Sequence, residues 1–480
     1  MIPRAVFAHY LVGLTFNQTT EQWTKDIAAA HAASIDGFAL NIGASDHHTL
    51  EALQQAYKVA AKFDDFMLFI SYDFAAPGDW TVDTIVNLTE TFKDEPAQFK
   101  VNGKPLVSTF EGGEFVDGWK EVRKRVDGDI YFVPDWSGLG PQKIKEQAYD
   151  LIDGAFSFNA WPWAGSSKMT TWPDGEYTGM LSPSHKTYMM GVSPYFYTRI
   201  PELNKNWYMS SDSLWYDRWL HVLDIMPDMV QIVTWNDFGE SHYIGDIVDS
   251  QVFPPSAEYV SDMSHKGFRA MLPYFIAAYK AGKKDIPLPA QLGDGAVSAW
   301  YRTTPANLTN CLDGATVWGQ KGTLSATAGV KDVINIFAVS VRETTLTVTL
   351  GDAEKELKVE AGTPQFFQVP LRDLENETGN VTITMNGHTT EGPAITHDCP
   401  ASGVINFNAV AIEIGIPKEE VPQGLPDGSG GGGKSSPGSS GGSSYKGKGK
   451  KRKNSVVSLE GGIPVAVAVV TVLFAGLLHV

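Results

Sequence analysis

Asp237 and Glu240 lie three residues apart in the segment Trp235-Asn236-Asp237-Phe238-Gly239-Glu240-Ser241, which follows directly on Val233-Thr234. Two carboxyl groups aimed into one cleft are what acid–base cleavage of a glycosidic bond requires. One gives a proton to the leaving oxygen, and the other activates water or attacks the anomeric carbon. An isolated D-x-x-E carries almost no information, since acidic side chains also cap helices and pair with cations in loops. Its place at the end of an apolar run is what gives it weight. The same placement recurs along the chain, with His9, Asn41, Asp73, Glu111, Asp135-Trp136 and Asn159 (followed by Trp161 and Trp163) each ending an apolar, β-branched or aromatic run. Trp235, Asn236 and Tyr243 flank the acidic pair itself. Alone, each has a structural explanation: Asp73 can cap a helix and Asn41 can hold a turn. Their coincidence at run ends is the signal. His47-His48 lacks any Cys or carboxylate framework, so no metal is expected, and no phosphate loop, G-x-S-x-G elbow or C-x-x-C is present.

Residues at run ends share one site only if the runs are strands whose C-terminal ends meet on one rim. Eight strands are read, at 5–10, 37–43, 66–73, 104–111, 130–136, 153–161, 187–197 and 229–237. Helical patterns fall at 22–33, 49–62, 82–92, 114–124, 141–151, 213–225 and 266–281. Alternating βα units of this number in a segment of 1–285 predict a (β/α)8 barrel, whose functional residues gather at the C-terminal ends of the strands. A doubly wound open sheet is the competitor, but no glycine-rich phosphate fingerprint follows the first strand.

The texture changes after Gly293. Short Thr/Val-rich alternating segments at 333–341, 344–350, 366–369, 381–385 and 410–414 predict an antiparallel β-sandwich over 293–416. Residues 420–454 are dominated by Gly, Ser, Lys and Pro and are expected to be a disordered linker. The apolar tail over 455–480 is expected to be a GPI-attachment signal, with a transmembrane helix over 463–480 as the alternative. Such a helix would put the basic run 446–453 on its N-terminal side and the enzyme in the cytoplasm, so the signal is preferred. Net charge is −17 and that run is the one dense basic cluster, which argues against nucleic-acid binding. The only two cysteines, Cys311 and Cys399, allow one disulfide in the C-terminal third. Sequons at Asn17, Asn87, Asn307, Asn376 and Asn380 are compatible with secretion. No apolar leader precedes the first strand, and a truncated gene model is the expectation.

The runs Val6-Phe7-Ala8-His9-Tyr10-Leu11-Val12-Gly13, Gly37-Phe38-Ala39-Leu40-Asn41-Ile42, Ser71-Tyr72-Asp73 and Trp235 to Ser241 resemble, in that order, the family 71 glycoside hydrolases, the fungal endo-α-1,3-glucanases or mutanases. The resemblance runs from residue 5 to about 415. It implies a (β/α)8 barrel with a C-terminal β-sandwich, inverting hydrolysis of α-1,3-glucan, no cofactor, and essential acids at Asp73, Asp237 and Glu240. Glu240 is read as general acid, Asp237 as base or water-positioning group, and Asp73 as orienting substrate. His9, Asn41, Glu111, Asp135, Trp136, Asn159, Trp161, Trp235, Asn236 and Tyr243 are read as substrate-binding. A monomer at the cell surface or wall, touching membrane only through its anchor, is the expected form. Two alternatives stay open: another endo-acting barrel glycosidase, on α-mannan or α-1,4-glucan, and a non-catalytic wall-anchored glucan-binding protein.

Overall fold

The computed structural model describes residues 4–374 and 377–418, all within one structural unit. The expected linker, the apolar tail and Asn376 lie outside the described residues.

Eight parallel strands form a curled sheet in chain order: Ala5–Leu11, Gly37–Gly43, Met67–Asp73, Lys104–Phe110, Tyr131–Phe132, Gly154–Ser157, Thr187–Val192 and Met229–Ile232. Each of the first four pairs in parallel with the next, the sixth pairs with the seventh and the seventh with the eighth, and the eighth returns to the first. Between fifth and sixth the link is a single bridge, Asp135 to Phe156. Pro134 explains the thinning, because proline has no N–H to give to a ladder.

Helices cover the outer face, so both faces are buried and the strands read as nearly continuous apolar runs. The period of two is still visible in the packing. Ala5, Phe7, Ala39, Phe69, Leu106, Tyr131, Val133, Phe156, Met189 and Met229 fill the inside of the curl. Val6, Ala8, Tyr10, Phe38, Leu40, Leu68, Ile70 and Tyr72 face the helices. Odd-numbered positions in the first three strands therefore point inward, and this parity governs the site.

The sixth to eighth strands stop earlier than expected, since their apolar runs continue into loops that are themselves buried, at Phe158, Phe196 and Val233. Helices stand at Thr20–Ala32, Thr49–Ala60, Val82–Phe92, Val116–Arg125, Gly140–Gln147 and Leu214–Ile225. The first opens on a capping box, in which Gln22 N donates to Thr19 Oγ1 and Thr19 N to Gln22 Oε1. The expected helix over 266–281 is a 3-10 segment, Lys266–Met271, then an α-helix, Leu272–Ala281; Pro273 sits in the first turn of the latter. A helix at Trp172–Leu181 was not foreseen, because Pro173, Gly175 and Gly179 weaken its local propensity.

Beyond Gly293 two four-stranded antiparallel sheets face each other. One orders Gln365–Pro370, Val333–Ser340, Gly295–Tyr301 and Val410–Ile416; the other orders Ala353–Val359, Thr344–Leu350, Gly379–Met385 and His388–Ile395. Ile334, Ile336 and Ala338 of the first sheet meet Leu346, Val348, Val381 and Ile383 of the second. Its other face packs on the helices of the parallel sheet, with Phe337 against Phe275 at 5.8 Å and Trp300 against Phe268 at 5.4 Å between ring centroids. Val333–Ser340 is consequently buried throughout, whereas Thr344–Leu350 alternates. Cys311 and Cys399 form a disulfide. The four described sequon asparagines are exposed. Among the described residues no helix is long and apolar enough to cross a membrane.

A third, small sheet was not anticipated. Tyr197–Ile200 and Lys205–Tyr208 form a hairpin after the seventh strand, and Val317–Trp318 from the C-terminal part adds alongside the second of them.

Candidate active site

Past the eighth strand the chain doubles back on itself. Thr234 N donates to His242 O at 2.8 Å and Gly245 N to Trp235 O at 2.8 Å. Inside this loop Asp237 N donates to Thr234 Oγ1 at 2.8 Å, and Glu240 N to Asp237 Oδ1 at 3.0 Å. These bonds set Asp237, Glu240 and His242 side by side, all buried. His242 Nε2 lies 3.0 Å from Glu240 Oε2 and 3.5 Å from Asp237 Oδ2. From the hairpin, Lys205 Nζ donates to Glu240 Oε1 at 2.8 Å. The rings of Trp161 and Phe196 flank His242, at 5.3 and 5.4 Å.

The two carboxyls live in opposite electrostatic environments. Burial pushes Asp237 above the usual carboxylate range, with His242 opposing and the charge of Glu240 adding to the rise. Burial also opposes ionisation of Glu240, but the Lys205 ammonium and the His242 hydrogen bond overcome it and hold Glu240 well below that range. Asp237 is thus the better proton holder, the reverse of the expected order. The inverting hydrolysis that the resemblance implies carries a wider carboxyl spacing than this pair has. An inverting pair separated by roughly 6.5–9.5 Å leaves room for water, whereas one oxygen of Asp237 and one of Glu240 lie within 4.8 Å of each other. Both side chains leave one short loop braced by hydrogen bonds, which keeps them together.

Asp237, Glu240 and His242 are the one group of three potential metal ligands found together among the described residues. The Lys205 ammonium already supplies the positive charge there, and a divalent ion would be repelled by it.

The inward parity gathers a second set on the same rim. Asp73 ends the third strand, its Oδ1 accepting from Ala75 N and Ala76 N at 2.8 Å each. Burial lifts it to about 6, against the hydrogen bonds from those two amides. Glu111 follows the fourth strand at φ +53°, and Gly138 N donates to its two oxygens at 3.0 and 3.1 Å. Burial, and behind it the negative charge of Glu114 and Asp73, lifts Glu111 to about 7 against the Gly138 bond. Asp135 is fully buried and accepts from the Ser137 hydroxyl at 2.5 Å. Burial and the charge of Glu111 push it well above the usual range. His9 Nδ1 accepts from Gln231 Nε2 at 2.8 Å, and burial, with the charge of His242, holds its imidazole down at about 3. Asn159 and Trp161 are half-buried just past the sixth strand.

Four expected substrate contacts are spent elsewhere. Trp136 takes the outward position next to Asp135 and packs on Phe132 at 5.7 Å. Trp235 packs on Phe38 at 5.2 Å in the helix-side core. Tyr243 stacks on His265 at 4.0 Å, and its hydroxyl donates to Met263 O. The Asn236 amide accepts from Leu11 N at 2.8 Å and donates to Leu11 O at 3.1 Å, tying the loop to the first strand. Conversely, Lys205 and His242 were missed. His242 stands two residues from Glu240 and was within reach of spacing arguments; Lys205 lies 35 residues upstream with no local signal.

Residues 2–421 match Glycosyl hydrolase family 71. A glucan endo-1,3-alpha-glucosidase of Schizosaccharomyces pombe is 33% identical over 85% of this chain and 93% of its own length. A mutanase of Penicillium rubens is 34% identical over 74% of this chain and 77% of its own. Among solved structures, an endo-alpha-mannosidase from Bacteroides thetaiotaomicron aligns with a TM-score of 0.48 at 13% identity, over 59% of this chain and 99% of that one.

Proposed function

This chain belongs to glycosyl hydrolase family 71 and is a glycoside hydrolase, and from that premise we propose that it cleaves the α-1,3-glucosidic bonds of α-1,3-glucan. The relatives of known name support the substrate. The observation that carries the chemistry is the unequal pair: Asp237 raised by burial, Glu240 held ionised by Lys205 and His242. In this reading the curled sheet works as a (β/α)8 barrel with its site at the C-terminal ends of the strands. Asp237 gives its proton to the glycosidic oxygen as the C1–O bond breaks. Glu240, negative and close by, stabilises the positive charge that develops at the anomeric centre. Water adds to the anomeric carbon from the opposite face and loses its proton to one of the second set of carboxylates on the same rim. Of those, Asp73 belongs to the three acids that the family resemblance carries. A place at the cell surface, in wall remodelling or degradation, fits such a substrate.

The spacing of Asp237 and Glu240 favours a second reading, in which Glu240 is a nucleophile and the reaction retains configuration. Proton NMR of the first products from insoluble α-1,3-glucan decides between them. A β-anomer is expected; an α-anomer would make Glu240 the nucleophile. No oligosaccharide from α-1,3-glucan, with release from α-1,4-glucan or mannan instead, would overturn the substrate assignment.

A further inference from the structure

Lys205 is the cation that keeps Glu240 ionised, and its own strand is poorly supported by the parallel sheet. Lys205–Tyr208 pairs with Tyr197–Ile200 across a Pro201–Leu203 turn, and an isolated two-stranded hairpin is marginal in water. Its outer edge is completed from more than 100 residues downstream. Trp207 pairs with Val317 and Tyr208 with Trp318, and Gly319 N donates to Tyr208 O at 2.7 Å. Asn206, next to Lys205, is clamped on both polar ends: its Nδ2 donates to Gly314 O at 2.9 Å and its Oδ1 accepts from Thr316 Oγ1 at 2.9 Å. Thr316 is fully buried.

The downstream segment is fastened in turn. Leu312 N donates to Gly403 O and Ile405 N to Leu312 O, Ser325 Oγ donates to Asp313 Oδ2 at 2.6 Å, and the Cys311–Cys399 disulfide closes its N-terminal end. The same hairpin reaches the acidic loop a second time, through Tyr197 N to Glu240 O at 3.1 Å.

We propose that the segment Leu312–Gly319 of the C-terminal part is a positioning element for catalysis, which holds the Lys205 strand so that its ammonium stays on Glu240. The proposal rests on the reading of Glu240 as the ionised member of the pair. Charged and titratable groups facing Glu240 are Lys205 from the hairpin, Asp237 and His242 from its own loop, and Tyr259 from the helix Ala257–Val260. Trp161 and Phe196 bring only neutral rings to His242. Of these groups, Lys205 is the one carried on the strand that the segment Leu312–Gly319 pairs with and clamps.

The test follows the Glu240 carboxyl itself by 13C NMR in glutamate-labelled full-length protein, with Glu240→Gln to assign the signal. Lys205→Met is expected to raise its titration midpoint by on the order of one pH unit or more, and Lys205→Arg to raise it less. Thr316→Val and Asn206→Leu keep the lysine side chain but remove the clamp on its strand, and each is expected to raise the midpoint in the same direction. Each should also lower kcat several-fold with KM nearly unchanged. Thr316→Ser, which keeps the hydroxyl, should restore the wild-type midpoint. A midpoint unmoved in Thr316→Val and Asn206→Leu, with only the melting temperature lowered, would reduce the segment to a structural role and overturn the proposal. The titration needs no substrate, so failure to hydrolyse α-1,3-glucan would count against the proposed substrate and leave this result readable.

Discussion

At the scale of single residues the site is a contrast between two acids three positions apart. Asp237→Asn and Glu240→Gln should each lower kcat by at least ~100-fold without unfolding the chain. Wild-type activity within a few-fold for either would remove that residue from the mechanism. The roles separate further with a leaving group that needs no proton, such as fluoride: Asp237→Asn should recover much of its loss on such a glycoside, and Glu240→Gln should not. The pH profile follows from the same shifts. A proton donor is active while protonated, so the rate should fall as pH rises through about 6, the value to which burial lifts Asp237. Glu240, depressed by Lys205 and His242, should stay ionised well into the acid range, so the acid limb should follow the carboxylate that takes the proton from water, falling as pH drops through about 6 if that group is Asp73. A profile still rising above pH 7 would contradict the assignment of Asp237 as donor. Parity made much of this site legible. His9, Asn41, Asp73 and Asp135 fall on inward positions, whereas Trp136, one residue on from Asp135, is carried into the core by the same rule.

At the scale of elements, the sheet Gln365–Pro370, Val333–Ser340, Gly295–Tyr301, Val410–Ile416 is the shared wall between the two halves of the described chain. Phe337 and Trp300 on one face belong to the helix-side core, while Ile334 and Ile336 on the other belong to the sandwich core. Phe337→Ala should therefore cost about 3–5 kcal/mol, as for a fully buried aromatic ring. Denaturant unfolding should show one transition at lower midpoint. Loss of only a minor early transition, with the main one unmoved, would mean that the wall does not couple the halves. The strand at 333–341 and its alternating neighbour at 344–350 were both expected from sequence. Both were expected to alternate, and only the latter does: Val333–Ser340 is buried on two faces and is a nearly solid apolar run.

At the scale of the whole molecule, the disulfide ties Cys311, at the entrance of the segment that braces Lys205, to Cys399 across 88 residues. Replacing both cysteines by serine should lower stability by about 4 kcal/mol on the chain-entropy account, seen as a lower denaturant midpoint; an unchanged midpoint would show that the surrounding strands hold the segment unaided. The order of apolar runs, their polar ends and the change of texture at Gly293 were enough to place the eight parallel strands, the two antiparallel sheets and the acids on one rim, because these features depend on local period and on where each run stops. Three things depended on tertiary structure alone. Asp237 and Glu240 sit side by side, with one oxygen of each within 4.8 Å, because the loop folds back through Thr234 and His242. Trp235, Asn236 and Tyr243 serve packing and tethering, because that same reversal turns them away from the cleft. Lys205 reaches Glu240 because strand pairing brings together residues far apart in the chain, and no local pattern of residue types encodes a contact made at that separation.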